Sequence, residues 1–258
     1  MKNPSIKRRC ILAISASALL FANAPLQATE ADEKIENAAN ASYVFKTYLK
    51  GDSVKVEADN GEVTLTGTVT DESHKFLAEN TVAAMPGVKR VLNQLKVTDA
   101  PAEHSDTWLF LKVKNTLAVH RSVSASKTKV VLASGVVTLT GEAKSQAAKD
   151  LATEYAKDVQ GVKEVKNEMT VAAAPAAPEQ TIVEIIDDAS ITAQVRMTLL
   201  SHRSTFNLKA TIVTADNIVA IGGKANTTAE KDLVTKLVSD VNGVKSVVNN
   251  MFVGEAAK

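Results

Sequence analysis

One short phrase occurs three times in this chain of 258 residues. VTLTG occupies 63–67 and 137–141, and a diverged copy, VAIGG, occupies 219–223. The final glycine of each phrase is followed 20 residues later by another glycine, which begins a GVKxVxN phrase; the three pairs are Gly67 and Gly87, Gly141 and Gly161, Gly223 and Gly243. Three copies in one register predict three structural repeats of a single fold.

Each copy begins with the pattern of a β-hairpin. In the first copy apolar and polar residues alternate over 54–58 and 63–69, on either side of Asn60-Gly61. Asn-Gly is a strong hairpin signal because both central residues of the turn need positive φ. The second copy has Gly135 in the turn and the third has Asn217. Asparagine tolerates the left-handed region, so the third copy is expected to keep the turn without the glycine.

A helical pattern lies between the two glycines of each copy. Its apolar residues are spaced i, i+1, i+5, i+8 and are Leu77, Ala78, Val82 and Met85, then Leu151, Ala152, Ala156 and Val159, then Leu233, Val234, Val238 and Val241. This spacing predicts a helix with one buried face. The glycine that follows is expected to stop the helix, and a last strand follows the glycine.

Another helix precedes each hairpin. Its predicted core stripe is Leu109, Val113 and Leu117 in the second copy and Ile191, Val195 and Leu199 in the third, with Asp106 and Asp188 as N-caps. In the first copy the matching stripe is Ala41, Phe45 and Leu49, six residues closer to the hairpin turn. This offset predicts a shortened loop after the first helix.

The predicted fold class is α+β, with three tandem αββαβ domains that each pack two helices on one face of a small mixed sheet. We expect the domains at 33–98, 106–171 and 187–253. The segments between them contain proline and few large apolar residues, which is typical of linkers.

The N-terminus has the pattern of a secretory signal. Basic residues at 2–9 precede an apolar run, and small residues end at Ala28. We therefore expect residues 1–28 to be a signal peptide cleaved near Ala28, leaving a periplasmic chain without a transmembrane span. The single cysteine, Cys10, precedes the apolar run, so a lipoprotein anchor and a disulfide framework are not expected.

The charge argues against a nucleic-acid partner. The formal net charge is +1, and the first 28 residues carry four basic and no acidic side chains, so residues 29–258 carry −3. No block of lysine and arginine is present to neutralise phosphates.

The whole set of phrases resembles the BON domain family: a leading helix such as DASITAQVRMTLL, then GxVxLTG, an alanine-rich helix and GVKxVxN. The resemblance covers nearly all of 33–253, and the tandem arrangement behind a signal is similar to osmotically inducible periplasmic proteins. It implies a non-enzymatic module of the Gram-negative envelope that binds phospholipid or supports membrane integrity under stress. Some relatives of this family bind a cation, and some are proposed as periplasmic chaperones.

No catalytic, cofactor or metal site is predicted. The GEVTLTG and GVVTLTG segments lack the helix N-terminus and the Lys-Ser or Lys-Thr pair of a phosphate loop. The glycines at 61, 67, 87, 135, 141, 161, 223 and 243, together with Asn217, are assigned structural roles in turns and caps. No serine is marked as activated by a base, so we expect a protein that is not an enzyme.

The histidines do not form a metal-binding pattern. His74, His104, His120 and His202 show no HxH or HxxxH spacing. His120 and His202 occupy the same repeat position, near the expected end of the first helix, where a cationic side chain favours the helix dipole.

One surface of the second domain differs from its counterparts. Relative to the core stripe, Trp108 and Leu111 fall on the opposite side of the helix, with Asn115 one turn on and Lys112 at the flank. The aligned residues are Ser190 and Ala193 in the third copy and Asn40 and Tyr43 in the first. A tryptophan with apolar neighbours and a lysine is typical of a membrane-interface contact. Packing of Trp108 and Leu111 against a neighbouring domain is the other interpretation.

Two function classes follow. In the first, the protein associates with anionic phospholipid membranes through the middle domain and supports the envelope under osmotic stress. In the second, it is a chaperone or interaction module that binds envelope proteins. A third class, cation sensing, is supported by the resemblance alone.

Overall fold

The computed structural model describes residues 30–98, 101–172 and 186–254. The predicted signal peptide lies outside these residues. The elements of the first domain are α1 (Glu30–Ala41), α2 (Tyr43–Thr47), β1 (Ser53–Asp59), β2 (Glu62–Val69), α3 (Glu72–Ala83), β3 (Arg90–Asn93) and β4 (Lys96–Val97). The second domain has α4 (Asp106–Val119), β5 (Thr128–Ala133), β6 (Val136–Ala143), α5 (Gln146–Asp158), β7 (Glu164–Asn167) and β8 (Thr170–Val171). The third has α6 (Asp188–Ser201), β9 (Ala210–Ala215), β10 (Ile218–Ala225), α7 (Thr228–Ser239), β11 (Ser246–Asn249) and β12 (Phe252–Val253).

Each domain is a small mixed sheet with helices on one face, as the sequence predicts. The middle strand, β2 in the first domain, pairs antiparallel with β1 and parallel with β3 and β4. The last strand of the predicted αββαβ unit is therefore two short segments, both paired with the same neighbour. Alternate residues of the middle strand, such as Val63 and Leu65, are fully buried under the helices, whereas Thr64 and Thr66 lie on the other face.

The hairpin turns have the predicted conformation. Asn60 and Gly61 have φ of 52° and 79°, and Asp216 and Asn217 of the third domain have φ of 52° and 64°. The third copy thus keeps a turn with two positive φ angles without a glycine.

The glycine that ends the VTLTG phrase is required by close packing. Gly67 has φ of 116°, and a Cβ on this residue would overlap the carbonyl oxygen of Ser53 on the paired strand. Gly141 and Gly223 have the same relationship with Lys127 and Lys209. The phrase therefore recurs because the hairpin needs this glycine in each domain.

The second glycine of each copy is not the helix cap itself. Helix α3 ends at Ala83, α5 at Asp158 and α7 at Ser239, three or four residues before Gly87, Gly161 and Gly243. These glycines have positive φ in the turn that leads from the helix into the last strand. One residue of the predicted stripes, Leu151, is 37 % exposed rather than buried.

An aspartate at the start of each first helix holds the hairpin turn. Asp32 Oδ2 accepts a hydrogen bond from Asn60 N at 3.0 Å, and its Oδ1 accepts one from Gly61 N at 2.9 Å. Asp106 and Asp188 make the same pair of bonds to the turns of their own domains. The prediction that they are N-caps is wrong, because Ser105 and Asp187, one residue earlier, cap these helices.

The position of Asp32 also shows that the predicted register of the first helix is wrong. Because Asp32 is equivalent to Asp106 and Asp188, the first helix is not offset by six residues; it is interrupted at Ser42 and resumes as α2. Ile35 and Ala39 are the buried counterparts of Leu109 and Val113, whereas Ala41 is exposed. In this register the counterparts of Trp108 and Leu111 are Lys34 and Asn37.

The interruption at Ser42 lets the first domain bind the third. It leaves the N–H groups of Tyr43 and Val44 available, and these donate to Asp187 Oδ2 at 2.8 Å and to Ser190 Oγ at 3.1 Å. Helix α6 is buried on both sides, with ten of its 14 residues buried. Ile191 and its stripe face their own sheet, while Ala193 and Met197 pack into the core of the first domain.

The second and third domains contact each other through the ends of their helices. Arg121 N donates to Asp240 O at 3.0 Å, and the equivalent Arg203 N donates to Asp158 O at 3.1 Å. His120 and His202 are the C-cap residues of α4 and α6, as their repeat position suggested, but both are buried in this interface. Domains one and three, and two and three, therefore share continuous cores.

Candidate functional site

Helix α4 presents the residues that the sequence singled out. Ser105 caps it by accepting a hydrogen bond from Trp108 N at 3.2 Å. Leu109, Val113 and Leu117 are buried in the core of the second domain, as predicted. Leu111, Lys112 and Asn115 lie on other faces of α4, toward the first domain, whereas Trp108 borders the first domain and also packs against the core that the second and third domains share.

Trp108 is half-buried at the wall of a groove between the first two domains. The groove has a volume of about 400 Å³ and is lined by Asp71, Glu72, Ser73, Val97, Pro101, Glu103, Trp108, Leu111 and Lys112. Lys112 Nζ lies 4.1 Å from the centroid of the Trp108 ring, a cation–π contact. The His104 ring meets the same indole edge-on, with 5.2 Å between centroids. The indole is held from two sides but still borders open space.

The charges at this groove are mixed. Burial lowers the pKa of Lys112 from its ordinary value, and the nearby Glu103 opposes that shift. Glu72 and Glu103 are exposed at the border of the groove. A partner that binds here therefore meets the indole, other apolar side chains and one lysine, together with the two exposed carboxylates.

Asn115 does not belong to the accessible part of this surface. It is 8 % exposed, and its Nδ2 lies 3.3 Å from both carboxylate oxygens of Asp71 in the first domain. Asp71 in turn caps α3 by accepting from Ser73 N and His74 N. Asn115 thus joins the second domain to the first, while Trp108, Leu111 and Lys112 line the groove beside this contact.

A polar cluster behind the contact was missed by the sequence analysis. His74 Nδ1 lies 2.6 Å from Asp52 Oδ2, and Asp52 Oδ1 accepts hydrogen bonds from the backbone and the hydroxyl of Thr70. Asp71 and His74 lie three residues apart at the start of α3, whereas Asp52 lies just before β1, so local spacing alone could not have revealed the cluster. They stabilise the loop and the helix start against which α4 packs.

The groove continues along α3 toward α6. Glu72, Ser73 and Lys112 also line a neighbouring depression of about 310 Å³, together with Phe76, Met197 and Leu200. Leu200 is 52 % exposed. An apolar strip bordered by charges of both signs therefore runs across three helices, one from each domain.

Neither a metal-binding cluster nor a membrane-spanning helix is found in the part of the chain that the structure describes. No group of three or more histidine, cysteine, aspartate or glutamate side chains there is placed to hold a metal ion. None of the described helices is both long enough and apolar enough to cross a bilayer.

Comparison with known proteins assigns the repeats. A profile of the BON domain matches the chain three times, at 31–99, 105–173 and 187–255. The chain is 29% identical over 146 residues to Osmotically-inducible protein Y of Escherichia coli, an alignment that covers 57% of this chain and 71% of that protein. It is 30% identical over 138 residues to a 21 kDa hemolysin of Actinobacillus pleuropneumoniae, covering 52% and 71%. It is 28% identical over 144 residues to the outer membrane lipoprotein DolP of Haemophilus influenzae, covering 55% and 72%.

Proposed function

The chain belongs to the BON-domain family, and from that premise we propose that it is a cell-envelope protein that associates with anionic phospholipid membranes and supports the envelope during osmotic or related stress. Two similar proteins are named for osmotic induction and for the outer membrane. The signal pattern at 1–28 is consistent with export to the periplasm. The three domains act as binding modules rather than as an enzyme.

The observation that supports membrane contact most directly is the Trp108 surface. An indole with a lysine over its ring, next to Leu111, combines an apolar body with a cationic group, which suits the boundary between acyl chains and headgroups. The third domain has Ser190 and Ala193 at the aligned positions, and both are buried against the first domain. The surface is therefore particular to the middle domain.

The expected binding is weak and reversible. Glu72 and Glu103 border the groove, and a single tryptophan supplies little apolar area. Electrostatic attraction to the bilayer therefore comes from few lysines and decreases as salt is added.

A second candidate function, binding of envelope proteins or a chaperone-like activity, is favoured by the strip that extends from Trp108 past Phe76 to Leu200. Its apolar centre and its borders of both charge signs suit an amphipathic helix or an unfolded segment. A client protein would then be protected from aggregation in the absence of lipid.

The emission of Trp108 on titration with phosphatidylglycerol vesicles distinguishes these candidates, because it is the single tryptophan of the chain. Membrane contact predicts a saturable blue shift that is absent with phosphatidylcholine vesicles and is reduced by added salt. No shift with either lipid would contradict membrane contact at Trp108 and favour a protein partner.

A matched pair of variants controls for charge. Lys112→Gln and Lys114→Gln each remove one lysine from α4, but only Lys112 lies over the indole, whereas Lys114 lines a different groove. We expect Lys112→Gln to weaken vesicle binding severalfold more than Lys114→Gln. Equal effects would mean that general charge, rather than the Trp108 surface, drives association.

A further inference from the structure

The outer faces of the three sheets differ strongly in charge. In the first domain, strands β1 to β4 carry six charged residues, which are Lys55, Glu57, Asp59, Glu62, Arg90 and Lys96. Two ion pairs lie on this face, Lys55 with Glu57 along β1 at 2.6 Å and Arg90 of β3 with Glu62 of β2 at 3.1 Å. Such charges keep an exposed sheet face soluble and unattractive to apolar partners.

The same positions of the third domain are uncharged, and most of them are apolar. Glu57 is replaced by Val213, Asp59 by Ala215, Glu62 by Ile218 and Arg90 by Ser246. In the register of the sheet, Ala220 pairs with both Val213 and Val248, and Ile218 pairs with both Ala215 and Ser246, so these residues form two continuous rows. No residue that the structure describes covers these apolar positions.

The side chains of this face are open to solvent. Phe252 is 62 % exposed, Val213 58 %, Val248 46 % and Ile218 37 %. Contiguous exposed apolar residues of this kind mark contact with a partner or a membrane rather than ordinary surface. We call these four residues, with Ala220, the outer face of the third sheet.

The second domain has an intermediate number of charged residues on its strands, so the loss of charge is most complete in the third domain. Strands β5 to β8 keep four charged residues, which are Lys129, Glu142, Glu164 and Lys166. Strands β9 to β12 keep one, Lys224. From the first to the third domain every acidic residue of the strands has been lost.

The charge that remains identifies the kind of partner. Lys224 is the partner of Phe252 in the sheet register, and the exposed Lys209 and Lys245 immediately precede the starts of β9 and β11. Two copies of the chain placed face to face would bring these lysines together. An anionic lipid surface instead suits both the apolar side chains and the lysines of this face, because it takes up apolar side chains and attracts lysines at the same boundary.

We propose that the outer face of the third sheet is a second membrane-contact surface, with Phe252, Val213 and Val248 against the acyl boundary and Lys224 at the phosphate groups of anionic lipid. The proposal rests on the proposed membrane association but uses a different domain from Trp108. The lysine stems lie along apolar surface while their ammonium groups reach the headgroups. Two weak contacts on one chain strengthen each other through effective concentration.

The test introduces into the third domain the ion pair that the first domain already has. The double variant Ile218→Glu/Ser246→Arg copies Glu62 and Arg90 onto equivalent paired positions, so the fold is expected to accept it, and the net charge is unchanged. The reciprocal variant Glu62→Ile/Arg90→Ser is the control in the first domain. Flotation with phosphatidylglycerol vesicles is expected to show about tenfold weaker binding for the first variant and no weakening for the control.

A direct probe places a reporter in the face itself. In the variant Trp108→Phe/Phe252→Trp, the sole tryptophan lies in the outer face of the third sheet. Its emission is expected to shift to the blue with phosphatidylglycerol vesicles and to be quenched by lipid brominated on its acyl chains. An unshifted, unquenched emission from vesicle-bound protein would overturn the proposal.

The outcomes separate this proposal from the proposed function. If the wild type binds vesicles and Ile218→Glu/Ser246→Arg binds equally well, the third-domain surface is wrong while membrane association stands. If the wild type binds no vesicles, both are wrong. If the wild type forms a concentration-dependent dimer without lipid and the variant is monomeric, the face joins two copies of the chain and the membrane assignment is overturned.

Discussion

His202 Nε2 of the third domain lies 3.0 Å from Asp158 Oδ2 of the second. The equivalent residues form the reciprocal pair, with His120 Nδ1 3.4 Å from Asp240 Oδ2, at ion-pair distance but without hydrogen-bond geometry. Two antiparallel bridges, His120 with Val241 and Val159 with His202, accompany the pairs. The second and third domains therefore contact through the same surface patch, as the subunits of a two-fold dimer do. The first domain has Lys46 and Ala84 at the aligned positions and cannot form this interface.

Acid is expected to weaken this interface through His202. Burial lowers the pKa of His202 below its ordinary 6.5, although Asp158 opposes the shift and Arg203 and His120 add to it. The unfolded chain therefore binds more protons than the folded one as pH falls through 6.5, so stability decreases on acidification. We expect His202→Gln to show a smaller drop in Tm between about pH 7 and pH 5 than the wild type. The exposed His104→Gln variant should keep the wild-type pH dependence, and an unchanged pH dependence in His202→Gln would contradict the assignment.

Tyr155 is expected to contribute to the same interface. Its hydroxyl donates to Asp240 Oδ2 at 2.6 Å, and its ring stacks on His120 with 3.7 Å between centroids. Burial, together with the hydrogen bond to Asp240, raises the pKa of Tyr155. Tyr155→Phe keeps the stack but removes the donor, so we expect a loss of about 1.5 kcal/mol in the free energy of unfolding. A double-mutant cycle with Asp240→Asn in urea denaturation measures the coupling, and additive losses would show that the two side chains do not interact.

Asp240 should remain ionised to low pH. Burial alone would raise its pKa, but contacts with His120, Ser122 and Tyr155 outweigh burial and lower the pKa below its ordinary 3.8. Stability from this carboxylate is therefore present above 3.8 and is lost only as pH falls through the lowered folded-state pKa. Asp240→Asn is expected to cost stability at neutral pH and to lose its disadvantage in strong acid, as followed by circular dichroism in melts from about pH 7 to pH 2. A constant difference between variant and wild type over that range would count against this linkage.

Replacement of the VTLTG glycine should be severe. Gly67→Ala combines an unfavourable positive φ with overlap between the new Cβ and the Ser53 carbonyl, so we expect a cost of about 3 kcal/mol. Gly51 is the matched control because a Cβ there meets nothing within 4 Å. Thermal melts of the two alanine variants are expected to differ by several degrees, with Gly51→Ala close to the wild type. Equal melting temperatures would refute the packing argument.

Asn115 should hold the first and second domains together beside the Trp108 groove. Asn115→Ala leaves the buried Asp71 without this donor, and we expect a cost of about 1–2 kcal/mol. Since the groove also borders Trp108, separation of the two domains should shift the tryptophan emission to the red. The neighbouring exposed Lys114→Ala variant is expected to change neither quantity. If the Asn115→Ala variant emitted at the wild-type wavelength, contacts other than the one between Asn115 and Asp71 would determine the geometry of the groove.

The repeat carried most of the information about the individual domain. Hairpin alternation, two positive-φ turn positions and the apolar stripes depend on residues close in sequence, and they predicted the mixed sheet with helices on one face. The same local logic failed for the first helix, because the interruption at Ser42 is stabilised by Asp187 and Ser190, more than 140 residues away. Alignment of apolar stripes alone then produced the false offset of six residues.

The candidate site also divides into features that local spacing predicted and features that depend on tertiary contacts. Helix periodicity predicted that Trp108 and Leu111 lie away from the core stripe of α4, but Trp108 also packs against the core beside that stripe. Only the tertiary structure decided that Asn115 is buried against Asp71, that His120 and His202 meet carboxylates of the opposite domain, and that none of the described residues covers the outer face of the third sheet. Each of these depends on which surfaces of separate domains meet, and such contacts join residues with no fixed spacing along the chain.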